Sequence, residues 1–135
     1  MEFISWNDKL SVGVKIFDEE HKQLISFLNK LNQSILSGST AKTMGEILAN
    51  LVRYTRIHFK HEQDYMTAHG YPDYDMHKKE HDSLTTQVAE YNERLKSGKT
   101  TYSLELLNFL RDWLTKHIQG SDMNYKNFFI SKGVR

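Results

Sequence analysis

Five of the seven histidines in this chain fall in phase with apolar stripes that repeat every three and four residues, and two carboxylates fall in phase with them. They are His21; His58 and Glu62; His77 and His81; and His117 with Asp122, one group in each of four successive stretches. Apolar residues at that period mark amphipathic helices that face a core. Metal-ligating side chains on four such faces constrain the fold strongly. The helices must converge, and a buried cation is what compensates so many buried polar groups.

The segment ends are legible from proline and glycine. The only proline is Pro72, and Gly38, Gly70, Gly98, Gly120 and Gly133 fall where helical patterns stop, as expected of glycine just past a helix C-terminus. The first helix is expected from about Asp18, a plausible N-cap, to Ser37, with Leu24, Leu28, Leu31 and Ile35 in register with His21. The second runs from about Thr40 to His69, where Leu48, Leu51 and Thr55 lead to His58, Glu62 and Tyr65. The third runs from about Tyr74 to Lys96, with His77 and His81 ahead of Leu84, Val88, Tyr91 and Leu95. The fourth spans Ser103 to Ile118 and aligns Leu106, Leu110 and Trp113 or Leu114 with His117. Short connections favour antiparallel neighbours. The expected fold is therefore all-α: an antiparallel up-down-up-down four-helix bundle with an N-terminal extended arm and a short C-terminal helix. The expected organisation is a single domain, 1–135, with the arm over 1–17, the bundle over 18–118 and a C-terminal segment over 119–135.

Composition narrows the function classes. A chain of 135 residues suits one domain that buries roughly two-thirds of its unfolded surface. Lys plus Arg, 18, nearly equals Asp plus Glu, 17, so no basic field is available for nucleic acid or anionic lipid. There is no cysteine, which excludes disulfides, thiolate zinc sites and iron–sulfur clusters and leaves imidazole and carboxylate as the strong ligands. The N-terminal stretch lacks the long apolar run of a signal peptide or membrane span. A soluble cytoplasmic protein without membrane insertion is expected.

Spacing then assigns chemistry. Residues four apart on a helix lie about 40° apart around its axis and one turn apart along it, so they converge on one point. His77 with His81 can chelate one ion, and His58 with Glu62 can offer a nitrogen and an oxygen together. His117 and Asp122 are five apart, about 140° in a straight helix, which aims them apart. The fourth helix must therefore end or bulge between them, and Gly120 is the place expected. Any one core-facing histidine is more often structural than a ligand. The convergence of the set is what carries the metal reading.

Other polar residues have simpler explanations. His61 points further round the second helix and reads as boundary or surface. His69, beside Gly70, suits a helix C-terminal dipole. Lys78, Lys79 and Glu80 look like a solvated face. His77, Glu80 and His81 also spell H-x-x-E-H, the inverted zinc-protease signature, with Glu80 as general base. That motif leaves the other ligand candidates unexplained and reads as a coincidence of helical spacing.

Taken together, these stretches resemble the hemerythrin family over essentially the whole chain, and single-domain bacteriohemerythrins in particular. The resemblance rests on Ser5–Trp6, the F-D-x-E-H run ending at His21, His58 to Glu62, the G-Y-P-D-Y lead-in to His77 and His81, and the W-L-x-x-H-I segment containing His117. It implies two iron ions, ferrous or ferric, with an oxo or hydroxo bridge. His77, His81 and His117 would hold one ion, His21 and His58 the other, and Glu62 and Asp122 would bridge them. Dioxygen would enter the open position on the two-histidine iron. By the same resemblance Trp113, Leu114 and Ile118 would line an apolar oxygen pocket, and Tyr125 would orient a ligand from outside the coordination sphere.

The implied function is reversible dioxygen binding for transport, storage or delivery to an oxygen-consuming enzyme, by a non-enzyme in which weak oxidase or peroxidase chemistry is at most a side activity. Ligand counting favours it. Bundle di-iron oxidases use Glu-x-x-His pairs and about four carboxylates; five imidazoles with two carboxylates should disfavour high-valent iron. The alternatives are a di-iron oxidase or peroxide- or nitric-oxide-handling enzyme, for which His61 is the spare proton donor, and an oxygen or redox sensor acting through a separate partner. A monomer or small homo-oligomer is expected.

Overall fold

The computed structural model of the chain describes residues 3–99 and 101–135; Met1, Glu2 and Thr100 of the expected domain lie outside the described residues. Helices α1 (Lys15–Leu36), α2 (Ala41–His69), α3 (Tyr74–Lys96) and α4 (Leu104–His117) form the bundle. After α4 the chain passes through a π-turn, Ile118–Asp122, into α5 (Met123–Ser131). α1 packs against α2 and α4, and α2 against α3. The ligand candidates lie near the N-terminal ends of α1 and α3 and the C-terminal ends of α2 and α4. Alternating direction thus gathers them into one layer, as an up-down-up-down bundle requires.

Local sequence explains most boundaries. Thr40 caps α2 by accepting a hydrogen bond from the Thr43 N–H at 3.2 Å. Gly70 ends it at φ 70°, a left-handed conformation that costs glycine little, and the Tyr71 N–H closes the turn on the Met66 carbonyl at 2.9 Å. The start of α1 differs from the expected one. Its cap is Val14, and Asp18 lies inside the first turn. The Asp18 carboxylate instead accepts from the Val12 N–H at 2.8 Å and the Ser11 hydroxyl at 2.6 Å, so it ties the arm to the helix.

The N-terminal arm contains a 3-10 turn, Asp8–Leu10, and buries Leu10, Val12 and Val14. That turn packs against the π-turn. The main core runs along the bundle axis through Leu24, Leu28, Leu31, Leu48, Leu106 and Leu107, each at most 2 % exposed. Such side chains contribute the bulk of the apolar burial, and truncating one to alanine typically costs about 2–5 kcal/mol. Among the described residues no helix is long and apolar enough to cross a membrane.

Candidate metal centre

All seven ligand candidates lie in one buried layer, none more than 5 % exposed. Their donor atoms divide into two overlapping groups. Glu62, His77, His81, His117 and Asp122 lie within 4.8 Å of one another, as do His21, His58, Glu62 and Asp122. Glu62 and Asp122 are common to both. Asp122 turns one oxygen each way: Oδ1 is 2.9 Å from His77 Nε2 and 3.1 Å from His117 Nε2, and Oδ2 is 3.1 Å from His21 Nε2. Glu62 Oε1 lies 3.3 Å from both His58 Nε2 and His81 Nε2.

The π-turn makes this possible. A straight α-helix would rotate Asp122 away from His117, whereas one five-residue turn brings both side chains to the same face. The interruption expected between them is present as a bulge within a continuing helix, without a break. Gly120 lies in this turn but contributes no left-handed conformation, and a Cβ there would meet nothing within 4 Å. It is not a helix-ending glycine, in contrast to Gly38, Gly70, Gly98 and Gly133, which all have positive φ.

Outer hydrogen bonds set the imidazole tautomers. His81 Nδ1 donates to Gln63 Oε1 at 2.9 Å, His117 Nδ1 to Glu80 Oε2 at 2.8 Å and His58 Nδ1 to Glu20 Oε1 at 2.9 Å. Each bond places the ring proton on the outer nitrogen and leaves Nε2 with a lone pair aimed inward. His81 Nε2 and His117 Nε2 then face each other at 3.0 Å. Two lone pairs at that separation repel unless a cation lies between their owners. Both nitrogens of His21, His77 Nε2, Glu62 Oε1 and both Asp122 oxygens are buried without a hydrogen-bond partner. So dense a set of inward-facing orphan atoms fits a resident metal pair, because burial without a partner costs roughly 1–3 kcal/mol per group.

Electrostatics agree. Burial pushes the Glu62 and Asp122 carboxyls up, but the surrounding imidazoles more than offset it and hold both below the usual carboxylate range. Burial lowers His81 to about 4, whereas for His77 the Asp122 and Glu62 carboxylates overcome burial and raise it to about 10. Burial, with the Glu62 charge behind it, drives the Tyr125 hydroxyl well above its ordinary value. Tyr125 therefore donates, and its hydroxyl reaches Glu62 Oε2 at 2.5 Å. Phe59 stacks on His81 at 3.7 Å and Trp113 on His117 at 4.4 Å, which restricts the orientation of both rings.

Some residues take up positions other than the expected ones. Glu80 is partly exposed, as expected of that face, but its carboxylate is committed: it accepts from His117 and from the Ser121 hydroxyl, which leaves it no role as an H-x-x-E-H base. Glu20, which precedes His21 in the F-D-x-E-H run, is buried and shared between His58 and His61, whose Nδ1 lies 2.5 Å from Glu20 Oε2. His61 is half-exposed, as its helical phase indicates. His69 donates to the Tyr65 carbonyl at 2.9 Å at the end of α2. An apolar cavity of about 40 Å³ reaches the layer at His21, His58 and His117; Trp113 and Leu114 line it, together with Phe59, Leu24, Leu84 and Leu110. Ile118 is 1 % exposed but does not form part of that wall, and neither does His61.

Comparison with known proteins accords with this geometry. Residues 12–129 match the family described as hemerythrin HHE cation binding domain. The chain is 36 % identical over 125 residues to a bacteriohemerythrin of Stenotrophomonas maltophilia, covering 93 % of this chain and 80 % of the relative. It is 32 % identical over 121 residues to a myohemerythrin of Theromyzon tessulatum, covering 90 % and 89 %. A crystal structure of wild-type hemerythrin superimposes with a TM-score of 0.86 at 30 % identity, covering 93 % of this chain and 96 % of the other. By sequence, fold and the chemistry of its buried layer, this chain belongs to the hemerythrin family.

Proposed function

We propose that this chain binds dioxygen reversibly at a non-haem di-iron centre, in which His77, His81 and His117 hold one iron, His21 and His58 hold the other, and Glu62 and Asp122 are shared together with an oxo or hydroxo bridge. The observation that carries this reading is the division of the donor atoms into a five-residue and a four-residue group with both carboxylates in common. A ferrous pair held by these residues would supply the reversible two-electron redox chemistry that dioxygen uptake and release require. The protein's part is to keep Nε2 of His81, His117 and His58 free as donors through Gln63, Glu80 and Glu20, and to hold Glu62 in place through Tyr125.

The apolar wall of Phe59, Trp113, Leu114 and Leu110 excludes water from the cavity. Thr55 and Thr85 also line it, but their hydroxyls bond the Leu51 and His81 carbonyls of their own helices at 2.7 and 2.9 Å, and so remain committed to backbone. Apart from Arg56, which is exposed to solvent, such a wall solvates a charged reduced form of oxygen poorly, which favours departure as the neutral gas. His61, the spare proton donor required by an oxidase reading, is bonded to Glu20 and lies outside the cavity wall. The chain acts as an oxygen store or carrier in the cytoplasm, as a monomer or small homo-oligomer, and passes its cargo to a separate oxygen-consuming enzyme; oxidase or peroxidase turnover is a weak side activity.

Anaerobic reconstitution with ferrous iron, then oxygen, then argon, tests the proposal. An absorption band that appears with oxygen and fades under argon, at two irons per chain, is the expected result. Sustained oxygen consumption in the presence of reductant, or fewer than two irons at saturation, would overturn it.

A further inference from the structure

All seven proposed ligands are buried, so the ions have to cross the bundle wall to reach them. Among the described residues, two cavities that touch the ligand layer differ in chemistry. Short of the ligands it ends on, His21, His58, His117 and Asp122, the apolar cavity offers a hydrated cation only Arg56, which repels it, and Thr55 and Thr85, whose hydroxyls are bonded to backbone carbonyls. The second cavity, of about 50 Å³, lies where the start of α3 meets the π-turn, and its polar lining is Asp73, His77, Glu80, Ser121 and Asn124. At roughly 10–15 Å³ per water it has room for a few.

Three features make this cavity a passage toward the centre. Asp73, Met76 and Asn124 are exposed at its rim, and the Asp73 side chain makes no capping hydrogen bond with α3. Glu80 is 43 % exposed and is bound to His117 on the inward side. His77 is 3 % exposed, lines the cavity, and carries its unpartnered Nε2 on the inner face, 2.9 Å from Asp122 Oδ1. Oxygen and nitrogen donors thus run from the surface to the buried layer. The polar edge at Glu20 is closed by comparison: one carboxylate oxygen bonds His58 at 2.9 Å and the other His61 at 2.5 Å, and an incoming cation would have to break both contacts.

We infer that the cavity between Asp73 and His77 is the loading route for the metal centre, taking a hydrated divalent cation in from the rim carboxylates, past His77, to Asp122 and Glu62. Each donor displaces one water from the cation, and at Glu80 the bonds to His117 and Ser121 both use Oε2, which leaves Oε1 for the cation. Gas and metal then use separate entrances. The inference rests on the metal centre proposed above, and the experiment separates the two.

The metal-free full-length chain is mixed anaerobically with ferrous ion, and uptake is followed by quenching with a chelator and counting retained iron. Asp73→Asn is expected to slow loading about fivefold at low ionic strength, with the difference shrinking at about 1 M salt, because the Debye length falls to about 3 Å. Asn124→Trp, which plugs the rim, is expected to slow it at least tenfold. Both variants should reach the wild-type final stoichiometry and loaded melting temperature. Asp82→Asn removes an equal charge outside the cavity, where Asp82 pairs with Lys78 at 2.7 Å, and should load at the wild-type rate. Wild-type loading with unimpaired Asp73→Asn and Asn124→Trp, or equal slowing by Asp82→Asn, would overturn the route alone. Failure of the wild type to retain two ions per chain would overturn the centre and the route with it.

Discussion

The three-histidine and two-histidine halves of the candidate centre share two carboxylates but are supported differently. In the first, His81 and His117 each have an outer acceptor and an aromatic ring stacked on one face, and His77 borders the polar cavity. In the second, only His58 has an outer acceptor, Glu20; His21 is fully buried and its Nδ1 has no partner. Outer hydrogen bonds raise ligand basicity and fix ring orientation. The difference teaches that the half with more ligands is also the better supported one, while the half proposed to keep an open position for dioxygen is less restrained and meets the apolar cavity with both of its histidines, against His117 alone from the other half.

The comparison breaks first at what the halves have in common. Asp122→Ala would remove the carboxylate whose oxygens face His77 and His117 on one side and His21 on the other. Both ions should then be lost together, with destabilisation beyond about 3 kcal/mol from uncompensated buried charge; retention of one tightly held ion by metal analysis would show that Asp122 serves only one half. Chelation of the wild type should lower the melting temperature markedly, since a ligand at a thousand times its dissociation constant stabilises by about 4 kcal/mol. Coincident melting of loaded and metal-free protein in calorimetry would contradict a resident metal pair.

Smaller effects separate the halves. Glu80→Ala should weaken the ion of the three-histidine half, and Glu20→Ala that of the two-histidine half, each about 10- to 100-fold in chelator competition. If both variants lose the same ion, the assignment of outer partners to separate halves is wrong. His61→Ala should be the mildest, at most about threefold in retention by the same assay, because His61 acts one hydrogen bond further out and is half-exposed. An effect as large as that of Glu20→Ala would show that Glu20 depends on His61 for its position.

Much of this arrangement is legible along the chain. Helical phase marks the core-facing histidines, and the five-residue step between His117 and Asp122 demands a local change of helix geometry, which the π-turn supplies. Other contacts are not legible. Glu80 stands beside Lys78 and Lys79, so local composition reads as solvent-facing, yet its partner His117 is 37 residues away on another helix. Glu20 is adjacent in sequence to His21 but serves His58, 38 residues on. Asp18 has the chemistry of an N-cap, but α1 already begins at Lys15, leaving its carboxylate to bind the arm.

The sequence by itself determined four helices, the side chains that line their inner faces and the family to which the chain belongs, because periodicity and residue chemistry act over a few residues. Tertiary structure alone decided which nitrogen of each imidazole faces inward, which half of the centre is better supported, and which cavity is apolar and which polar. Those properties depend on distances of a few ångströms between residues tens of positions apart, and only the packing of the helices sets them.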